Sequence, residues 1–216
     1  MPERVSFATK DGVTIVGDWY AVPNAASFAL LLHMRPATKE SWRVWAQKLQ
    51  DRGVACLAID QRGHGESTNN GLLDYKTFGD EESRGKRFDV EAALGWLRAA
   101  GAVHSQMSVW GASIGANLAI RCLMEHADIA RAAALSPGIN FRGVSTDDAI
   151  VALHEGQSVV LVASEDDPHD SFASARKLHH LAPERTHLIE RANLGHGTDM
   201  LDRDPALFEE ILEKLA

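Results

Sequence analysis

The segment Trp110-Gly111-Ala112-Ser113-Ile114-Gly115-Ala116 places a serine inside a Gly-x-Ser-x-Gly pattern. It follows a short apolar run and opens an amphipathic one, so Ser113 is expected on a sharp strand-to-helix turn. Glycines at 111 and 115 would relieve crowding there, and the hydroxyl would stand above a sheet edge. The helix that begins at this point offers free amides and the positive end of its dipole. A serine hydroxyl is a weak nucleophile at neutral pH, so it needs a base within hydrogen-bond reach and a carboxylate to orient that base. On turns of this kind the chain order is serine, acid, histidine. Both partners follow in that order: Ser164-Glu165-Asp166-Asp167-Pro168 after one apolar run, and Asn193-Leu194-Gly195-His196-Gly197 after the next. His196, between two glycines that allow close approach, is the expected base. Asp167 is the expected acid because the residue before a proline is held extended, which fixes its direction. Asp166 is the alternative, and Asp170 reads as a helix cap. His179, His180 and His187 read as surface or packing residues. No His-Glu-x-x-His motif is present, and neither a metal nor a cofactor is expected.

The elements that must hold these residues follow from periodicity. Alternating segments at 5–8 and 14–20 flank Asp11-Gly12, a hairpin signal. Continuous apolar runs then occur at 28–33, 54–59, 107–110, 132–135, 159–163 and 186–189, as expected of strands buried on both faces. Between them, apolar residues recur at three and four over 41–51, 88–100, 114–125, 171–181 and 205–215, with Ser41 and Asp170 as expected N-caps and Gly53 and Gly101 as expected stops. Strand and helix alternating through most of the chain imply a mostly parallel sheet of about eight strands with helices on both faces. Ligands bind such sheets beyond the carboxyl ends of the strands.

Composition narrows the function classes. The 216 residues are 45% hydrophobic with a net charge of −8 and no basic cluster, which argues against nucleic acid or an anionic membrane as partner. A chain of this length fits one domain, 1–216, with its own core. Cys56 and Cys122 sit in apolar stretches and read as buried thiols. The first dozen residues carry charges of both signs and no apolar core of a signal, and the longest apolar run is far short of the roughly 20 residues of a membrane span, so a cytoplasmic protein is expected. The edge near the last strand and terminal helix is the expected place for two copies to pair.

The chain resembles the α/β-hydrolase superfamily, and in particular its small, lid-less, dienelactone-hydrolase-like or esterase-like members. The resemblance rests on Leu30-Leu31-Leu32-His33 with its following loop, on Asp60-Gln61-Arg62-Gly63-His64-Gly65-Glu66-Ser67, on the Gly111 to Gly115 turn, on Ser164 to Pro168, and on Gly195-His196-Gly197. It implies a carboxylesterase-like serine hydrolase cleaving a small ester or thioester. Dienelactone hydrolases proper use a cysteine and epoxide hydrolases an aspartate, so Ser113 directs the expectation to acyl transfer. The resemblance further implies an oxyanion hole made by the amide of Ile114 and one from the loop after the third strand. Met34 stands where relatives show glycine, and Pro36 has no N–H, which leaves Met34 or Arg35; the resemblance to the family favours Arg35. It also implies that the 60–67 turn is structural, which leaves His64 and Ser67 without catalytic roles. The connection 136–158 is too short for a cap domain, so an open pocket is expected, lined by Met34, Trp110, Phe141 and Trp42, with the 64–87 segment as a candidate flap. The same constellation would serve an acyltransferase or perhydrolase, and the rival reading is a binding protein that uses the pocket without catalysis.

Overall fold

The computed structural model describes residues 1–215. Eight strands form one sheet: β1 (Glu3–Ala8), β2 (Thr14–Tyr20), β3 (Ser27–Leu32), β4 (Val54–Ile59), β5 (Met107–Ala112), β6 (Arg131–Leu135), β9 (Ser158–Ser164) and β10 (Thr186–Arg191). A separate two-stranded ribbon, β7 (Asn140–Phe141) and β8 (Val144–Ser145), stands in the connection after β6. The sheet order is β1-β2-β4-β3-β5-β6-β9-β10. Only β1 with β2, and β2 with β4, are antiparallel; every pair from β4 to β10 is parallel. The Asp11-Gly12 turn makes the opening hairpin, with Gly12 in the left-handed conformation at φ 82°.

Alternation along each strand divides the core into two layers. Leu30, Leu32, Leu57, Ile59 and Val109 face α3 (Arg87–Ala99), α4 (Ile114–Glu125) and α6 (Ser171–Leu181). Ala29, Leu31, Cys56, Ala58 and Trp110 face α1 (Arg43–Asp51) and α8 (Ala206–Leu215). Short helices α2 (Asp80–Arg84), α5 (Asp147–Val151) and α7 (Asp199–Arg203) lie in connections. The 136–158 connection holds only the ribbon and α5, so no large cap covers the strand ends. Both cysteines are free and buried. No helix among the described residues is long and apolar enough to cross a membrane.

Gly53 and Gly101 stop α1 and α3 with φ 81° and 99°, while of the two expected N-caps only Asp170 holds that position. Ser41 lies inside a 3-10 turn, Lys39–Trp42, that precedes α1, and its buried hydroxyl bonds to nothing. Asp170 holds the N-cap position of α6 in left-handed backbone without a side-chain cap bond. The run read as ending at 110 continues to Ala112, because Gly111 and Ala112 pair with Ala134 and Leu135 of β6.

Sheet order sets the place for chemistry. Among the parallel strands, chain order runs outward from the β3–β5 junction, to β4 on one side and to β6, β9 and β10 on the other, and the loops leaving β3, β5, β6, β9 and β10 all emerge at the same carboxyl edge. That junction is the switch point at which such sheets open a crevice.

Candidate active site

Ser113 sits between β5 and α4 at φ 55° and ψ −121°, a conformation that side chains other than hydrogen strain to adopt. It is held there by its N–H donating to Leu135 O at 2.8 Å and by its carbonyl accepting from the amides of Ala116 and Asn117 at 2.9 and 3.2 Å. The flanking glycines are required by space. A Cβ on Gly111 would lie 2.0 Å from the Gly115 carbonyl oxygen, and one on Gly115 would lie 2.3 Å from Leu32 O. The second approach brings the segment 33–36, leaving β3, against the start of α4.

His33 fixes that segment. Its Nε2 accepts from the Gln61 amide at 3.0 Å, so Nδ1 carries the proton and donates to Met34 O at 2.8 Å, while the Gln61 side chain donates to His33 O at 2.6 Å. The 60–67 turn is itself anchored, and all of it but Gly65 and Glu66 is buried. Asp60 accepts from the Lys39 amide, the Lys39 ammonium and the Glu66 amide, and Ser67 Oγ accepts from Val16 N–H. His64 stacks on Tyr75 at 4.0 Å between centroids, within the 64–87 segment that packs down on the turn, and its Nδ1 faces Arg62 O at 3.0 Å.

Asp167 and His196 meet across the ends of β9 and β10, with Nδ1 2.7 Å from Asp167 Oδ2. The other carboxylate oxygen accepts from the His169 amide at 2.9 Å. Burial alone would raise the Asp167 pKa, but the bonds from His196, the His169 amide and the Ser136 hydroxyl hold it below the ordinary carboxylate value. Asp166 does not touch the imidazole. Its Oδ1 accepts from Ser164 Oγ at 2.6 Å and from the Gly195 amide at 2.9 Å, bracing the loop that carries the histidine.

His196 leaves β10, three strands from the β5 that carries Ser113, so its loop must fold back across roughly 15 Å of sheet. Ser136 ties it down. This buried serine at the end of β6, at φ 52°, accepts the Gly197 amide at 2.9 Å while its hydroxyl serves Asp167. Sequence reasoning passed over Ser136, although a serine directly after a buried strand was a signal. It also passed over His169, whose ring meets that of His196 edge to face at 4.6 Å.

A cleft of about 200 Å³ beside the turn is lined by Arg35, Ser113, Ile114, Phe141, Arg142 and His169. Ser113 and His196 are not hydrogen-bonded to each other; such bonds are often loose before substrate arrives. Of the expected pocket residues, only Phe141 lines this cleft. Trp42 and Trp110 do not: both are buried in the layer under α1 and α8, and Trp110 packs against Phe208. Met34 instead wedges against the histidine loop, where a Cβ on Gly197 would lie 2.4 Å from its sulfur. Asn117 of α4 positions the Phe141 and Arg142 ribbon by donating to Val144 O at 2.7 Å and accepting the Gly138 amide at 3.0 Å.

One further cluster of metal-ligating types exists among the described residues. His104, His126 and Asp128 hold ligand atoms within 4.8 Å of one another, but at the opposite end of β5 from Ser113. There His104 is paired with Asp128 and His126 with Glu91.

The chain matches the model of the alpha/beta hydrolase fold family over residues 30–181. No curated protein matches it. Among solved structures it is similar to an esterase of Pyrococcus furiosus, at 18% identity and a TM-score of 0.76, covering 100% of this chain and 89% of that one. It is also similar to the alpha/beta hydrolase GrgF of a Penicillium species, at 15% identity and a TM-score of 0.78, covering 100% and 98%. A third is an alpha-beta serine hydrolase homologue of Coxiella burnetii, at 14% identity and a TM-score of 0.75, covering 99% and 97%.

Proposed function

The chain belongs to the alpha/beta hydrolase fold family, and on that premise we propose that it is a carboxylesterase-like serine hydrolase acting on a small carboxylic ester or thioester. The observation that carries this reading is the strained Ser113 turn opening on the same edge as the 2.7 Å Asp167–His196 pair. His196 presents Nδ1 to the carboxylate, so its proton sits on Nδ1 and Nε2 is left free to act as base. As Ser113 Oγ bonds to the substrate carbonyl carbon, its proton passes to Nε2, and Asp167 stabilises the imidazolium. The oxyanion is received by the amides of Ile114 and Arg35, each such donor supplying about 100 to 1000-fold in rate. The bond from carbon to the leaving oxygen or sulfur breaks as Nε2 returns the proton to it. Water then adds to the acyl-enzyme, giving one proton to Nε2, and Ser113 leaves with that proton as the acid is released.

The test is release of p-nitrophenol from a short-to-medium acyl ester series by the wild type and by Ser113→Ala, with circular dichroism showing both folded. Turnover by the wild type, lost about a million-fold in the variant, is the expected result. An inactive wild type that a fluorophosphonate fails to label at Ser113 would overturn the reading in favour of a binding protein.

A further inference from the structure

The cleft beside Ser113 is positively charged in a chain whose net charge is −8. Several arginines of the fold are paired with carboxylates: Arg62 with Asp11 and Asp89, Arg121 with Asp148 and Glu125, Arg191 with Asp204 and Glu210. The two that wall the cleft are not. Among the described residues neither Arg35 nor Arg142 has a carboxylate within ion-pair distance.

The guanidinium of Arg35 lies over the Tyr75 ring at 5.1 Å, and its Nη1 is buried without a partner. Arg142, at the tip of the β7–β8 ribbon with φ 51°, has only the Phe78 carbonyl at 3.4 Å. The two cations feel each other. Burial and then the charge of Arg142 pull the Arg35 pKa down. Arg35 and Arg142 likewise act with burial in lowering that of Lys86, against the opposing pull of Asp89. A buried donor left unpaired and two facing cations left unneutralised are both unfavourable. A bound carboxylate removes both penalties at once, since guanidinium groups match its geometry in two-pronged pairs.

We propose that the substrate is a half-ester of a short dicarboxylic acid, with its free carboxylate held between Arg35 and Arg142 and its ester carbonyl at Ser113. This rests on the hydrolase reading above and names the substrate class for it. The carboxylate belongs to the acyl part. The leaving atom must face His196, which comes from β10, whereas Arg35 comes from β3 on the other side of β5. Phe141 and Ile114 supply the apolar wall that a short methylene chain between the two ends would touch. The cleft's volume of about 200 Å³ is below the range of about 300–1,000 Å³ that drug-sized ligands fill, so the chain is short.

The test separates binding from turnover. In Ser113→Ala, chemical-shift titration compares monomethyl glutarate with methyl pentanoate, which differ by the terminal carboxylate against a methyl group. The half-ester is expected to bind at least about tenfold tighter, with the advantage falling below about threefold when Arg35→Gln or Arg142→Gln is added. Equal affinities, tighter binding of the neutral ester, no saturable binding of the half-ester, or an advantage untouched by both arginine changes would overturn the proposal. Wild-type turnover then tells the two readings apart. A neutral ester cleaved through Ser113 without half-ester preference removes this inference and leaves the hydrolase standing. Half-ester binding with no turnover and no labelling of Ser113 does the reverse.

Discussion

The chain contains the tripeptide Gly-His-Gly twice, at 63–65 and at 195–197, and the two copies have opposite chemistry. Their backbones are alike, with both glycines of each copy at positive φ. Their neighbours differ. His64 has Nδ1 against a backbone carbonyl, a buried Nε2 with no partner, an aromatic face on Tyr75, and the Lys86 ammonium 3.5 Å away. Burial, Lys86 and His33 push its pKa down to about 2, so it stays neutral and takes up no proton at ordinary pH. His196 has a carboxylate at Nδ1, and its ring meets that of His169, which lines the cleft. Under the proposed mechanism the two copies are therefore distinguished by their surroundings, a carboxylate at the ring in one and burial with a nearby lysine in the other, and not by the local sequence.

The largest expected effect comes from removing the anion. Asp167→Asn should keep the fold and lower kcat by about 10⁴-fold, through loss of the tautomer and of imidazolium stabilisation, with KM changed little. Steady-state kinetics on the preferred ester check this, and a drop under about tenfold would detach His196 from Asp167 in the mechanism.

The glycines give a second contrast. A Cβ at Gly65 would lie 2.2 Å from Asp60 Oδ2, inside a buried ion pair, whereas at Gly197 it would meet the flexible end of Met34. Gly65→Ala should therefore lower unfolding free energy by at least about 2 kcal/mol and leave the folded fraction active. Gly197→Ala should cost about 1 kcal/mol but depress kcat, since a Cβ against Met34 at positive φ would displace the loop that the residue-197 N–H ties to Ser136. Denaturant titration beside kinetics reads both, and the reverse ranking would break the comparison.

A further contrast is in pH. His33, lowered to about 3 by burial and by Lys86, and His64, lowered to about 2, are neutral in the folded chain, while both protonate below about 6.5 when unfolded. The unfolded state then binds more protons, so stability present above that pH is lost as pH falls. The slope reaches about 1.4 kcal/mol per pH unit for each histidine. Denaturation midpoints between neutral and mildly acidic pH should show it, and His64→Gln should remove about half.

The strands, the turn at Ser113 and the loops that bring Asp167 to His196 were legible because each is local: an apolar run, a Gly-x-Ser-x-Gly pattern, an aspartate before Pro168. The pleat was the missed signal for Trp110, which alternates with Val109 and so points into the layer under α8. Trp42 precedes α1 and joins Trp45 and Leu49 in that layer. Ser136 had a local signal, its place directly after a buried strand, but Arg142 and His169 were out of reach for another reason. They gain their places only when loops from β6 and β9 and the β7–β8 ribbon meet, and no spacing along the chain encodes that meeting.

The most direct test is the rate at which a fluorophosphonate modifies Ser113, followed by intact mass, in the wild type, His196→Ala and His64→Gln. Similar rates for the wild type and His64→Gln, with His196→Ala slowed by at least about 1000-fold, are the expected result. Undiminished labelling of His196→Ala, or loss of labelling in folded His64→Gln, would contradict the assignment of the base.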